Sequence, residues 1–478
     1  MITMYLGVKV WQQVIENIDE VNGMTKDMTT GSPLKLIIGF AVPMFLGMLF
    51  QQFYSMVDTI IVGKFLGVDP LAGVGSTSSL NFMVIGFCTG VCNGFAIPVS
   101  QMFGAKREDE LRRYVANSTW LCVLFSAVIT VLVVVFCRPI LAVMNTPENI
   151  FEYAYLYIVI IFAGIPCTFL YNILAGIIRS LGDSKSPVLF LALASLINIV
   201  LDLVTILLFN MGVEGPALAT VVSQGFSGVV CLLYMKKKFP VLRISKEEWK
   251  PRKSYMRRLC YMGIPMGLQY SITAIGSLVV QSAVNGFGSL VVAGVTAAQK
   301  INNFFGCPVE ALGATMAPYS GQNMGAGKYD RIGKGLKDAA LCGFAVSAVL
   351  LILVILTGKQ LSMLFLDRPD ERVIQYSYQF LVTTAAGYCL LILVNAVRFT
   401  IQGMGFSVFA ITSGVFEMAA RSLAGLVLVP LAGYTGICFS HVMAWIFADS
   451  FLIPAYFSCM KKVRGKSGSG LAEPLRGK

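Results

Sequence analysis

The chain has 478 residues, of which 56% are hydrophobic and only 13% charged, and its mean hydropathy is +0.74. A soluble domain of this size needs more polar surface than that to cover it, so soluble enzymes and binding modules are excluded and a polytopic helical membrane protein is expected. The net charge of +12 is spread over many short polar stretches and not gathered on one folded domain, which excludes nucleic acid as a partner.

In chain order, residues 1–33 form a mixed N-terminal segment without the basic start, apolar core and small-residue cleavage site of a signal peptide. The stretch MTKDMTTGSP (Met24–Pro33) is a more natural beginning, so residues 1–23 are expected to be a start-site extension or a short interfacial piece. Apolar segments follow at 34–62, 71–97, 114–137, 151–175, 187–209 and 213–235. After a basic linker at 236–255 come six more, at 256–283, 291–318, 336–358, 374–398, 406–430 and 434–459, and residues 460–478 read as a disordered polar tail. Each apolar segment is near the length that spans the hydrocarbon. Twelve cysteines show no zinc-like spacing and sit singly in apolar runs, as small buried hydrophobes.

The two sets of six are copies. FAVPM (Phe40–Met44) returns as MGIPM (Met262–Met266), LAGVG (Leu71–Gly75) as VAGVT (Val292–Thr296), and QMFGAKR (Gln101–Arg107) as QNMGAGK (Gln322–Lys328). An even number of helices per copy gives both the same orientation, related by an axis along the membrane normal. The expected fold is therefore all-α, with twelve transmembrane helices in two pseudo-symmetric six-helix bundles, 34–235 and 256–459, around a central cleft. Pro43 and Pro265, on the leading helix of each copy, are the expected hinges. Basic residues follow the even-numbered segments (Ala105–Arg113, Arg179–Lys185, Lys236–Arg258, Lys328–Lys337, Arg398 and the tail), so the linker and both termini are expected to be cytoplasmic. The linker reads either as a tether between the bundles or as a solvated loop.

Polar residues inside the apolar segments are few. Asp58 lies near the outer end of the first segment, Asn172 in the fourth, Asn198 and Asp202 four residues apart on the fifth, and Thr220 on the sixth. Carboxylate, amide and hydroxyl oxygens suit a hard monovalent cation, and two acids in one bundle suit proton exchange equally; the bland alternative is that they brace helix breaks. The second copy has no acid matching Asp58. It has Lys300, Glu310 (facing the cleft, or paired with Lys300), His441 (a proton relay, or a packed side chain) and Glu417 with Arg421, spaced one turn apart as a structural ion pair. Tyr54, Met56, Met266, Gln269 and Tyr270, on the leading helices, and Glu310 are candidates to line the cleft. Apolar walls with a few carboxylates suit a lipophilic organic cation.

These features together resemble the multidrug and toxic compound extrusion family, in its prokaryotic MepA-like or DinF-like branch. The resemblance runs from about Thr30 to Met460. It is carried by VDTIIVGKFLG (Val57–Gly67), the paired Q-x-x-G-A motifs at Gln101 and Gln322, RSLGDSKSP (Arg179–Pro187), NIVLD (Asn198–Asp202) and GVEGPALAT (Gly212–Thr220). It implies two lobes in a V and export coupled to inward protons or sodium ions. It also implies an ion site at Asp58, Asn198, Asp202 and Thr220, with Asn172 as a further member and Na+ at Asp58 and Asp202 if sodium is the ion. Where other members carry an acid after the seventh-helix proline, this chain has Gln269 and Tyr270, which puts an ion site in the second lobe in doubt. The resemblance implies no cofactor beyond the coupling ion, a small organic cation or amphiphile as substrate, a monomer in a bacterial inner membrane, and no enzyme activity. No nucleotide loop or nucleophile constellation argues for an enzyme. A flippase for a lipid or lipid-linked saccharide is the rival reading; its anionic headgroup calls for several basic groups in the cleft, and the sequence offers Lys300 and Arg421.

Overall fold

The computed structural model describes residues 27–144, 146–364 and 370–468; the expected start-site extension at 1–23 and the last ten residues lie outside them. The first copy consists of α1 (Pro33–Phe65), α2 (Val68–Ser76), α3 (Ser78–Gly104), α4 (Glu108–Val135), α5 (Cys137–Val143), α6 (Glu148–Ala163), α7 (Ile165–Ser180), α8 (Lys185–Leu207) and α9 (Glu214–Lys238). The second consists of α10 (Lys253–Asn285), α11 (Ser289–Gly325), α12 (Tyr329–Met363), α13 (Glu371–Ala386), α14 (Tyr388–Gly403), α15 (Val408–Leu423), α16 (Val429–Ala432) and α17 (Tyr434–Gly468), with a π turn at Ala424–Leu428 joining α15 to α16. Among the described residues, nine helical stretches are long and apolar enough to cross a bilayer, and the bent pairs α6–α7 and α13–α14 bring the number to eleven. The twelfth span is α11, 37 residues long but broken up chemically by Lys300, Asn302, Asn303 and Glu310. Exposed apolar faces such as Val123, Leu124, Val128 and Val131 on α4 and Val349, Ile352 and Leu356 on α12 meet lipid, where a polar face would be unsatisfied.

The duplication extends to backbone detail. The bends between α6 and α7 and between α13 and α14 measure 47° and 48° and fall at Gly164 and Gly387. Positive φ recurs at matching turns: Gly67 (99°) with Gly288 (86°), Gly182 (90°) with Gly405 (98°), and Lys106 (55°) with Gly327 (69°). In the last pair a lysine occupies the left-handed conformation that the other copy gives to glycine, so the turn is imposed by the fold and not by the local residue.

The lobe boundaries are exchanged relative to the sequence expectation. Ile37, Phe40 and Ala41 on the first half of α1 are buried in the core of the second copy, together with Val309, Leu312 and Met316 of α11. Correspondingly, Leu259 on α10 is buried in the core of the first copy, and α10 packs chiefly on α3. That packing brings backbones together: a Cβ at Gly94 would lie 2.5 Å from Gly263 Cα, and one at Gly90 would lie 2.5 Å from Met266 O. Both α1 and α10 run unbroken through Pro43 and Pro265.

At the end of the molecule that carries the basic loops, the two copies close on each other. Gln101 Nε2 donates to Gly403 O (2.8 Å), Gln322 Nε2 to Ser180 O (3.0 Å) and Ser100 Oγ to Pro318 O (3.1 Å). The segment before α1 is tied down here too. Met28 N–H donates to Gln322 Oε1 (2.9 Å), and Asn323 Nδ2, Lys328 Nζ and Arg331 Nη1 donate to the carbonyls of Met28, Thr29 and Gly31 (3.0, 2.8 and 2.9 Å). At the opposite end α2 packs on α1, α3 and α6, all of the first copy.

Two polar stretches differ from expectation. The linker, 239–252 between α9 and α10, is docked on α4: Arg112 Nε bonds Glu248 Oε1 (2.6 Å), Trp120 Nε1 donates to Trp249 O (3.0 Å), and Arg252 N–H donates to Asn117 Oδ1 (2.9 Å). The chain past 460 continues as helix α17 to Gly468.

Candidate functional site

The first copy assembles its polar residues near the end opposite the basic loops. Tyr54 and Asp58 lie four residues apart on one face of α1, as do Asn198 and Asp202 on α8, and α8 packs on both α1 and α9. Tyr54 Oη is 3.5 Å from Thr220 Oγ1 of α9. The Asn198 amide satisfies both of its ends when its nitrogen donates to Asp202 Oδ2 (3.2 Å) and its oxygen accepts from Thr220 N–H (3.1 Å); turned over, it donates to Thr220 Oγ1 at 3.3 Å. Asp58, Asn198 and Asp202 are buried, at 9%, 1% and 0% exposure. The two carboxyl groups interact side chain to side chain, and Oδ1 of each is buried with no hydrogen-bond partner. Two buried carboxylates so placed repel each other when both are ionised, which favours a shared proton or a bound cation. Tyr157, on α6, lies within electrostatic range of Tyr54, Asp58 and Asp202. No spacing along the chain points to this neighbour.

The remaining candidates are distributed differently. Asn172 donates to Thr168 O on its own helix (2.9 Å), a bond that holds it to α7 and not to the acids. Met56 is half-buried on α1. Met266 is 2% exposed, packed with Ile97, Met262 and Ala410. Gln269 is 6% exposed, and its Oε1 accepts from Gln402 Nε2 (3.0 Å). These two are packed interior, which corrects their placement on the cleft wall: Met266 lies in the close α3–α10 approach, and Gln269 is covered by α14 and α15 through Gln402 and Gly414. Tyr270 does border the space between the copies, edge-on to Phe82 with centroids 6.5 Å apart. Glu310 is exposed on α11 and within electrostatic range of Tyr270, and among the described residues no ion pair joins it to Lys300.

The ion pair in the second copy is larger than its one-turn spacing suggested. Glu417 Oε1 is bonded by Arg398 Nη2 and its Oε2 lies 3.5 Å from Arg421 Nη2. Arg398 is 7% exposed, inside the lobe and not in a loop as the charge pattern implied. Asp449 on α17 is buried near this group, with both oxygens unpartnered. His441 packs between Phe380 and Trp445, at ring distances of 5.7 and 6.1 Å, in keeping with a packed side chain. Among the described residues no group of three or more His, Cys, Asp or Glu is arranged to hold a metal ion.

Against known proteins, the family model described as MatE matches residues 43–204 and 265–422, one stretch in each copy. The chain is 28% identical to the probable multidrug resistance protein YoeA of Bacillus subtilis (strain 168), over 79% of this chain and 83% of that one. It is 22% identical to the multidrug export protein MepA of Staphylococcus haemolyticus (strain JCSC1435), over 86% and 91%. Its fold superposes on the outward-facing conformation of a multidrug resistance MATE family transporter with a TM-score of 0.85, at 21% identity, covering 93% of this chain and 99% of that chain.

Proposed function

The chain belongs to the MatE family, and from that premise we propose that it is a secondary active exporter of organic cations or amphipathic compounds, driven by an ion that binds at Asp58 and Asp202. The observation that carries this is the pair of interacting buried carboxyls with an unpartnered oxygen on each. Such a pair has a free-energy reason to take up a positive charge. A proton fits with the least rearrangement, bridging the two groups while Asn198 donates to Asp202. Sodium needs several oxygens, which the carboxylates, Tyr54 and Thr220 supply only with the Asn198 nitrogen turned aside.

In the mechanism, the basic end is cytoplasmic and the membrane is the inner membrane of a bacterium. Substrate enters while that end is open. Closure through Gln101, Gln322 and the Met28–Gly31 segment exposes it to the outside, and charge uptake at the carboxyls favours release. Coupling requires that ion and substrate prefer different states, since binding alone shifts no equilibrium. Exchange of one proton or one sodium ion for a monocation moves no net charge, so current cannot identify the ion. The test is uptake of a fluorescent organic cation into inverted vesicles under an imposed proton or sodium gradient. Uptake driven by one gradient and lost in both Asp58→Asn and Asp202→Asn is expected; full transport by both variants would refute the assignment.

A further inference from the structure

We propose that Arg179 docks an anionic group of the substrate, so that the cleft favours compounds carrying a negative as well as a positive charge. Arg179 lies in the last turn of α7, half-buried, and its Nη2 donates to Asn93 Oδ1 of α3 at 3.3 Å. Its strongest electrostatic neighbours are Tyr171, Cys231, Cys92 and Tyr270. None of these is an acid, and among the described residues no carboxylate is ion-paired to it. The other arginines buried in the spans, Arg398 and Arg421, share Glu417. Arg179 is thus a half-buried guanidinium at the inner end of its helix, held by one neutral amide, a placement that costs free energy until an anion meets it. A planar fork of donors with a single occupied arm is suited to a carboxylate or phosphate.

The opposite wall supplies the complement. Tyr270, from the second copy, is within electrostatic range of both Arg179 and Glu310. Glu310 is exposed there with no basic partner among the described residues. Tyr270 relates the two, and the Phe82 ring beside it adds apolar and aromatic surface. A cation on one lobe, an anion on the other and rings beside them fit an aromatic zwitterion. The duplication shows what replaces the charge when it is not needed. Arg179 stands three residues before Gly182, and Gln402 stands three before Gly405, the matching positive-φ glycine; Gln402 simply bonds Gln269. An amide is therefore compatible with this helix end, and Arg179→Gln is the natural probe.

This deepens the exporter proposal and rests on it for the cleft being a substrate path, so the test is equilibrium binding without any gradient. Purified full-length protein is titrated with an ester rhodamine, a fixed cation, and with its free acid, a zwitterion on the same ring system, by fluorescence anisotropy. Wild type is expected to bind the free acid at least tenfold more tightly than the ester. Arg179→Gln should erase that preference by weakening the acid alone, and Arg179→Lys should keep part of it. A wild-type protein that does not prefer the acid overturns the proposal, whether or not the variants fold. A variant that weakens both dyes equally overturns it too. Absence of gradient-driven transport would count against ion coupling while leaving this preference intact.

Discussion

Replacing Gly325 by alanine places a methyl group against the carbonyl of Gln101, where the two Q-x-x-G-A motifs cross at the basic end. The added carbon would sit 2.7 Å from the Gln101 carbonyl carbon and 3.0 Å from Ala105 N. Relaxed carbon contacts sit at about 3.5–4.0 Å, and the Gln101 carbonyl oxygen lies closer still, so the backbones must separate by more than about 1 Å. Gly104 makes the mirrored contact, with Gln322 Cα and C at 2.6 Å. The obstacle is backbone on both sides, so no side-chain rotation relieves it. Overpacking of this kind costs about 1–3 kcal/mol, and here the cost falls only on the state in which the basic end is closed. The population should therefore move towards the open basic end by roughly 5- to 150-fold. The shift can be read as the distance distribution between spin labels attached through non-natural residues at Lys106 and Lys334, exposed positions on opposite lobes. Wild type should give a short distance, and Gly325→Ala a longer one. Gly306→Ala, on the same helix α11, is the control, because a Cβ there meets nothing within 4 Å and the backbone carries no positive φ. A folded Gly325→Ala protein with the wild-type distribution would refute the reasoning.

Two further outcomes follow from charges away from the proposed ion site. Glu417→Gln removes the carboxylate shared by Arg398 and Arg421 and should destabilise the second lobe by about 3–5 kcal/mol, seen as a fall in thermal unfolding temperature in detergent; an unchanged temperature would show that Asp449 already neutralises the arginines. In the linker, burial alone would raise the Glu248 carboxyl, but the Ser245 N–H and Arg112 guanidinium outweigh it and hold the group below its ordinary value of 4.5. Because the folded value is depressed, its stabilising contribution is present above pH 4.5 and lost as pH falls through that lower value. Hydrogen exchange at the Ser245 amide, corrected for its intrinsic rate, should accelerate over that acid range in wild type and be fast throughout in Glu248→Gln.

The all-helical duplicated fold and the pairing of its motifs were legible because each is a periodic or repeated feature of the chain. The grouping of Asn198 with Asp202 was legible for the same reason, as a four-residue spacing on one helix. What sequence order could not show is which element faces which. Arg398 and Arg179 were counted as loop charges from their place beside basic turns, yet their side chains turn inward, one to Glu417 and one to Asn93. Tyr157 joins the acids only because α6 packs on α2 and α9. Met266 and Gln269 sit on the correct helix, but the glycine-lined approach of α3 buries the first and α14 and α15 cover the second.

The exchanged leading helices bear on how the proposed ion site can act at a distance. Its carboxyls lie near the end opposite the closed seam, and a local charge change has no effect there unless one element feels both. α1 is such an element. Its first turns are buried in the core of the second copy through Ile37, Phe40 and Ala41, just beyond the Met28–Gly31 segment that Gln322, Asn323 and Arg331 hold. Its far half carries Tyr54 and Asp58 into the first copy against α8. Between them Thr315 Oγ1 contacts Met44 Sδ at 3.9 Å, next to Pro43, where the ring leaves one backbone bond unmade and makes bending cheaper. Taking up a positive charge at Asp58 removes the repulsion from Asp202 and changes which position of the far half is most stable. Because the near half is fixed in the other lobe, that change must be absorbed at Pro43 or passed to the seam. The matching helix α10 has the same exchanged packing and the same proline but no acid, so the duplicated fold supplies the linkage twice, and an ion at the proposed site would drive it from one side only.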